Sequence, residues 1–147
     1  MKWITRRNVK VDRVACPWLI RRFIDPEAEF LFVNEEEIET RAAAEGATPF
    51  DVPRNPRIHL NHRPGQCTFE AILDDYHLDD PALRRLGLIV HGADLAGELD
   101  VCPEAAGLRA VAEGFAALGL PDEQRLERQF PLYDALLEYC TEAVKTS

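Results

Sequence analysis

The chain has 147 residues, 46 % hydrophobic and 29 % charged, which is enough for one globular domain with a core and too little for two. Its net charge of −9 opposes binding to phosphate backbones, so no nucleic-acid partner is expected. No apolar run reaches the 18 or so residues of a membrane span, and the basic start Met1-Lys-Trp-Ile-Thr-Arg-Arg-Asn8 has no apolar segment behind it. The expected location is the cytoplasm, with no membrane partner.

In chain order, Lys2 to Arg6 is rich in β-branched and aromatic residues and predicts a short strand. The segment from Val11 to Asp25 predicts a helix with Pro17 at its first position and Cys16 as its cap. There Leu19 with Phe23, and Ile20 with Ile24, stack four residues apart. Asp25-Pro26 ends it. Glu29 to Val33 reads as a buried strand, and Asn34 as the cap of a short acidic helix from Glu35 to about Ala44, stopped by Gly46.

Three prolines between Thr48 and Pro56 predict a loop or edge strand, and Arg57 to Asn61 a further strand leading into a Pro64-Gly65 turn. Thr68 then caps a helix carrying Phe69, Ile72, Leu73 and Tyr76 at helical spacing. Asp80-Pro81 starts another, running to His91-Gly92. Cys102-Pro103 opens a third, closed by Gly119. The last segment, Leu126 to Val144, is amphipathic and is expected to kink or break at Pro131. Together these elements predict an α+β fold, a mostly helical single domain over residues 1–147 with a small sheet from the N-terminal half.

The densest chemistry lies in His59-Leu-Asn-His62-Arg-Pro-Gly-Gln-Cys67-Thr-Phe-Glu70. If Arg57 to His62 is extended, His59 and His62 face opposite ways, and His62, at the turn, is the better candidate ligand. Glu70 sits in the first turn of the next helix. His91 and Asp94, three residues apart, share a face if their helix continues. His62, Glu70, His91 and Asp94 thus make a two-nitrogen, two-oxygen set for a divalent transition metal: Zn, Mn or Fe. His and carboxylate pairs also serve as plain hydrogen-bonding groups. His77 reads as exposed.

A second candidate is an oxyanion pocket. A capping Cys16 would sit where free N–H groups and the helix dipole favour anions, with Arg13, Arg21 and Arg22 as forked donors. The alternative is that Cys16 and Trp18 are core and the arginines pair with surface carboxylates. The four cysteines, Cys16, Cys67, Cys102 and Cys140, form no C-x-x-C pair. Serine occurs only at position 147, which removes a serine nucleophile, and no glycine pattern of a dinucleotide or P-loop site is present.

Several strings carry a resemblance. Trp3-Ile-Thr-Arg6, Asp12-Arg-Val-Ala-Cys-Pro-Trp-Leu-Ile-Arg-Arg-Phe-Ile-Asp-Pro-Glu-Ala-Glu-Phe30, Thr48-Pro-Phe-Asp51, Cys67-Thr-Phe-Glu70, Asp80-Pro-Ala-Leu-Arg84, Val90-His-Gly-Ala-Asp94 and Leu132-Tyr-Asp-Ala-Leu136 are similar to the C-terminal domain of the chromate-resistance protein ChrB. The resemblance implies a role in tolerance of chromate or response to it, and supplies no agreed reaction. Regulatory members carry a further domain before this one; here the chain starts almost at the motif, so a transcriptional role is not expected. Chromate is a tetrahedral dianion and suits an oxyanion pocket. The expectation is a metal-binding protein that binds, senses or transforms a small oxyanion or other small-molecule ligand, with redox or metal-dependent hydrolytic turnover open. A regulatory effector module without turnover, or a homo-oligomer subunit pairing through the last helix, fits the same residues.

Overall fold

A computed structural model describes residues 1–146. Strand β1 (Lys2–Arg6) forms because Trp3, Ile4 and Thr5 are all fully buried. It is the central strand of a three-stranded parallel sheet, between β2 (Glu29–Val33) and β3 (Ala47–Pro49). Trp3 pairs with Phe30 on one side and Thr48 on the other. Parallel neighbours need crossovers, supplied by α1 (Asp12–Phe23) and α2 (Ile38–Glu45). The remaining helices are α3 (Thr68–Asp75), α4 (Pro81–Asp94), α5 (Pro103–Ala117) and α6 (Asp122–Lys145). Short 3-10 turns at Glu35–Glu37 and Leu99–Val101 precede α2 and α5. The fold is α+β and mostly helical, as the periodicities predict.

Three local expectations are corrected. Helix α1 starts at Asp12, so Pro17 lies inside it and Cys16 is not its cap. An internal proline costs about 3 kcal/mol. Fully burying Trp18, Leu19 and Ile20, at roughly 1.5–3 kcal/mol per large apolar side chain, outweighs that. Arg57 to Asn61 forms no strand, only a single bridge between Phe50 and Leu60. The Asn61 side chain instead donates to the carbonyls of Val52 (2.8 Å) and Asn55 (3.1 Å), satisfying the proline-rich loop from within. Cys67, not Thr68, caps α3. Helix α6 runs through Pro131 for 24 residues without the break, one of the two outcomes expected there.

The main core joins the helices around Trp18, which stacks on Phe69 at 6.5 Å and tilts against Tyr133 at 6.0 Å. Its indole N–H donates to Asp134 of α6 at 2.8 Å, and Arg22 grips the same carboxylate with two 3.0 Å hydrogen bonds. Arg22 chiefly, against the opposing effect of burial and with help from Trp18, holds the Asp134 carboxyl below its ordinary range. A depressed folded value contributes stability above the unfolded value of about 3.9, which is lost as pH falls through the folded value. Asp134→Asn should therefore flatten the acid limb of stability, by less than about 1 kcal/mol because the pair is solvent-screened. Urea midpoints measured between about pH 2 and 5 check this.

Candidate metal centre and anion pocket

Open parallel sheets bind ligands beyond the carboxyl ends of their strands. Here Arg6 ends β1, and Asp51 follows β3 by two residues. Around this edge four segments meet: the start of α1, the turn after β3, the loop before Pro64-Gly65 and the end of α4. Their side chains converge on one imidazole nitrogen. His62 Nε2 lies 3.2 Å from Asp94 Oδ2, 3.3 Å from Asp12 Oδ2 and 3.4 Å from Asp51 Oδ1. One N–H cannot point at three oxygens, and among the described residues none of them is aligned to make a hydrogen bond with this buried nitrogen.

Two of the three carboxylates, Asp12 and Asp51, are fixed from behind. Asp12 accepts the N–H groups of Thr68 (2.8 Å) and Phe69 (3.1 Å) at the start of α3, and the Cys16 thiol donates to it. Asp51 accepts the Thr68 hydroxyl at 2.8 Å, and Arg6 and Arg13 each approach it to 3.5 Å. Asp51 also holds a left-handed backbone (φ 53), an uncommon conformation for a non-glycine residue that gathers at functional sites. Asp94 closes the cluster from the last turn of α4.

The electrostatics follow from crowding. Burial, then the charges of Asp94 and Asp51, push the Asp12 carboxyl up to about 7. Burial also opposes ionisation of Asp51, but His62, Thr68 and Arg6 outweigh it and hold that carboxyl below its usual value. The same three aspartates, Asp12 first, raise His62 to about 12. Nearby negative charges thus stabilise a positive charge among these oxygens.

A cavity of about 300 Å³ opens beside this cluster, its charged lining being Arg6, Lys10, Arg13 and Arg109 with Asp51, His62, Asp94 and Glu113; Glu113 lies 3.3 Å from Arg109 and 3.9 Å from Lys10. Burial, then repulsion from Arg6, lowers the Arg13 pKa from its usual value, against the opposing effect of Asp51, Asp94 and Asp122.

Helices α3 and α4 assemble a separate group. Glu70 Oε1 accepts the Cys67 N–H at 3.0 Å and lies 2.6 Å from His91 Nδ1. The ligand atoms of Cys67, Glu70 and His91 lie within 4.8 Å of one another, as do those of Asp12, His62 and Asp94. The four residues expected to hold one metal are therefore divided: His62 with Asp94 in one group, Glu70 with His91 in the other.

The expected oxyanion residues are not gathered either. Arg13 lines the cavity with His62. Cys16 is fully buried inside α1, where burial first and then the neighbouring carboxylates push its thiol well up. Arg21 donates to the Ala28 carbonyl and lies over the Phe30 and Phe130 rings, and Arg22 is held by Asp134. Both arginines line a different cavity. His59 is 81 % exposed and pairs with Asp75, and His77 is exposed. Asp12, Asp51, Arg6, Lys10 and Arg109 had no place in the expected sites. Asp12 and Asp51 do stand in strings that carried the resemblance, but no short-range spacing marks either as a ligand.

Fold and site together define an α+β domain with a histidine–carboxylate centre beside a cavity lined by charges of both signs. The family model for the ChrB C-terminal domain matches residues 3–140. Protein ChrB of Cupriavidus metallidurans is 40 % identical over 126 residues, covering 85 % of this chain and 36 % of that protein. The chain therefore belongs to the chromate-resistance ChrB family and corresponds to its C-terminal domain. It spans little more than a third of the length of that relative. No solved structure matches it. Among the described residues no helix is long and apolar enough to cross a membrane.

Proposed function

We propose that this chain is a cytoplasmic protein that holds a divalent transition metal on His62, Asp12 and Asp94, with Asp51 beside them, and receives a small oxyanion of the chromate class in the adjoining cavity. The observation that carries the reading is the His62 nitrogen, buried among three carboxylate oxygens at 3.2–3.4 Å and aligned with none. The donor set fits: one imidazole and three carboxylates suit Zn, Mn or Fe, with oxygen donors favouring the harder ions. Binding would release to solvent the proton that the aspartates hold on His62, and the metal cation would take its place in offsetting their mutual repulsion. Arg6 and Arg13 supply guanidinium forks on the cavity wall, and Lys10 stands on the same wall, 3.9 Å from Glu113. Membership of a chromate-resistance family supports a tetrahedral dianion as the ligand. Arg13, rather than Cys16, Arg21 or Arg22, is the oxyanion residue retained in this reading.

The test is equilibrium dialysis against Mn²⁺, followed by elemental analysis. Wild-type protein should retain the ion, His62→Ala and Asp94→Asn should weaken binding by more than about tenfold, and His77→Ala should match wild type. Sulfate, a redox-inert dianion of the same shape, should bind the Mn²⁺-loaded protein and bind Arg13→Gln more weakly. Equal Mn²⁺ retention by wild type and His62→Ala would rule the centre out.

One observation favours a second reading, as a self-assembling subunit. Val111 of α5 and Leu132 and Tyr139 of α6 leave an apolar groove exposed between the two helices. Failure to bind metal or sulfate, with a stable assembly by sedimentation, would favour it.

A further inference from the structure

We propose a second, sulfur-containing cation site formed by Cys67, Glu70 and His91, distinct from the His62 centre and suited to a borderline ion such as Zn²⁺. Its donors come from the end of a loop, the first turn of α3 and the last turn of α4, and their ligand atoms lie within 4.8 Å of one another. The donor types are the ones this class of ion takes: thiolate, imidazole and carboxylate.

The positions are set before any ion arrives. Cys67 and Glu70 are one helical turn apart and lock each other as a capping box: the Glu70 carboxylate accepts the Cys67 N–H, and the Cys67 sulfur accepts the Glu70 N–H. Glu70 Oε1 then lies 2.6 Å from His91 Nδ1. Gly87, one turn before His91, packs against side chains of α3, Glu70 among them. A Cβ there would come within 3.3 Å of Leu73 and 3.5 Å of the Glu70 stem. Glu98 Oε1 lies 3.9 Å from the other His91 nitrogen, on the side where outer carboxylates commonly orient a ligating imidazole.

The surroundings shield two of the three donors from solvent. Cys67 is fully buried and His91 nearly so, while Glu70 reaches toward the surface. Binding forms a sulfur–metal bond and releases the thiol proton to solvent, with no change in oxidation state. Three protein donors leave a fourth position for water or an exogenous ligand. The competing description is that capping box and Glu–His pair are structural and hold no ion.

Titration of the full chain with Co²⁺ separates the two, because a thiolate–cobalt bond gives a near-ultraviolet charge-transfer band that a carboxylate–histidine site lacks. Wild type should develop the band. Cys67→Ser should abolish it and should weaken Zn²⁺ binding by more than the roughly 10–100-fold that loss of an outer partner costs. Glu70→Gln should weaken both while far-ultraviolet circular dichroism stays unchanged. His62→Ala and Cys16→Ser should keep the band. Absence of the band in wild type, or its persistence in Cys67→Ser, overturns the site. Its loss in His62→Ala overturns the claim that the two centres are distinct. Mn²⁺ retention by Cys67→Ser reads the His62 centre separately, so either can fail alone.

Discussion

Asp12→Ala should lower the stability of the metal-free protein by about 2–4 kcal/mol. Asp12 is buried where α1 and α3 begin, and its carboxylate is the acceptor for two buried N–H groups, those of Thr68 and Phe69. Hydrogen bonds to a charged group contribute roughly 1.5–3 kcal/mol each, a contribution that applies in full above the raised Asp12 value of about 7. Removing the acceptor leaves both donors unpaired at the N-terminus of α3. Part of that loss is offset, because Asp12 also repels Asp94 and Asp51. Asp12→Asn keeps one acceptor oxygen and sheds the charge, so it should recover about half of the loss. Urea unfolding of the three proteins, with slopes compared as well as midpoints, measures this. A loss below about 1 kcal/mol for Asp12→Ala would mean that Asp12 does not pin α3.

Gly92→Ala should affect fold and site together. Gly92 lies where α4 meets the turn before α5. A Cβ there would stand 2.6 Å from both Ala105 Cβ and Val101 Cγ1, and 3.0 Å from the Glu98 carbonyl oxygen. Two of these neighbours are a short side chain and backbone, which cannot swing aside, so α4 must move. Overpacking of this kind costs about 1–3 kcal/mol. The displaced turn carries His91 and Asp94, one ligand of each proposed centre, so Mn²⁺ and Co²⁺ binding should weaken in parallel. Gly107→Ala is the matched control. Nothing lies within 4 Å of its added Cβ, and relief of glycine's entropic cost in mid-helix should raise stability by about 0.5–1 kcal/mol. Thermal melts of both variants, with metal titrations of Gly92→Ala, check the pair. An unchanged melting point for Gly92→Ala would contradict the close approach of α4 and α5.

Much of the helical framework was legible because its signals are local. Asp80-Pro81 and Cys102-Pro103 start α4 and α5 as capping chemistry predicts. Asn34 and Gly46 bound the acidic segment, though its first turn is 3-10 rather than α. Misreadings arose where tertiary burial overrode a local rule. Pro17 marks a helix start by its own chemistry, but the packing of Val14 to Ile20 extends α1 backwards past it. Leu60 and His59 alternate like a strand, yet Asn61 satisfies that segment through its side chain.

The site was legible only in part, for the same reason. His62 and Asp94 stand out by residue type and meet in space. Asp12 and Asp51 join them from positions 50 and 11 residues before His62, too far apart for a spacing argument. His91 and Asp94 are three residues apart, about 60° apart around a helix, and that angle is enough to send one toward Glu70 and the other toward His62. Which neighbour each meets is set by how α3 and α1 pack against α4, and no short-range pattern encodes that.

The most direct measurement is anomalous diffraction at the manganese edge from crystals of this chain grown with Mn²⁺. The expected result is a peak bonded to His62 Nε2 and to carboxylate oxygens of Asp12 and Asp94. A map without that peak, with ordered density for the His62 ring and the aspartates, would contradict the metal centre.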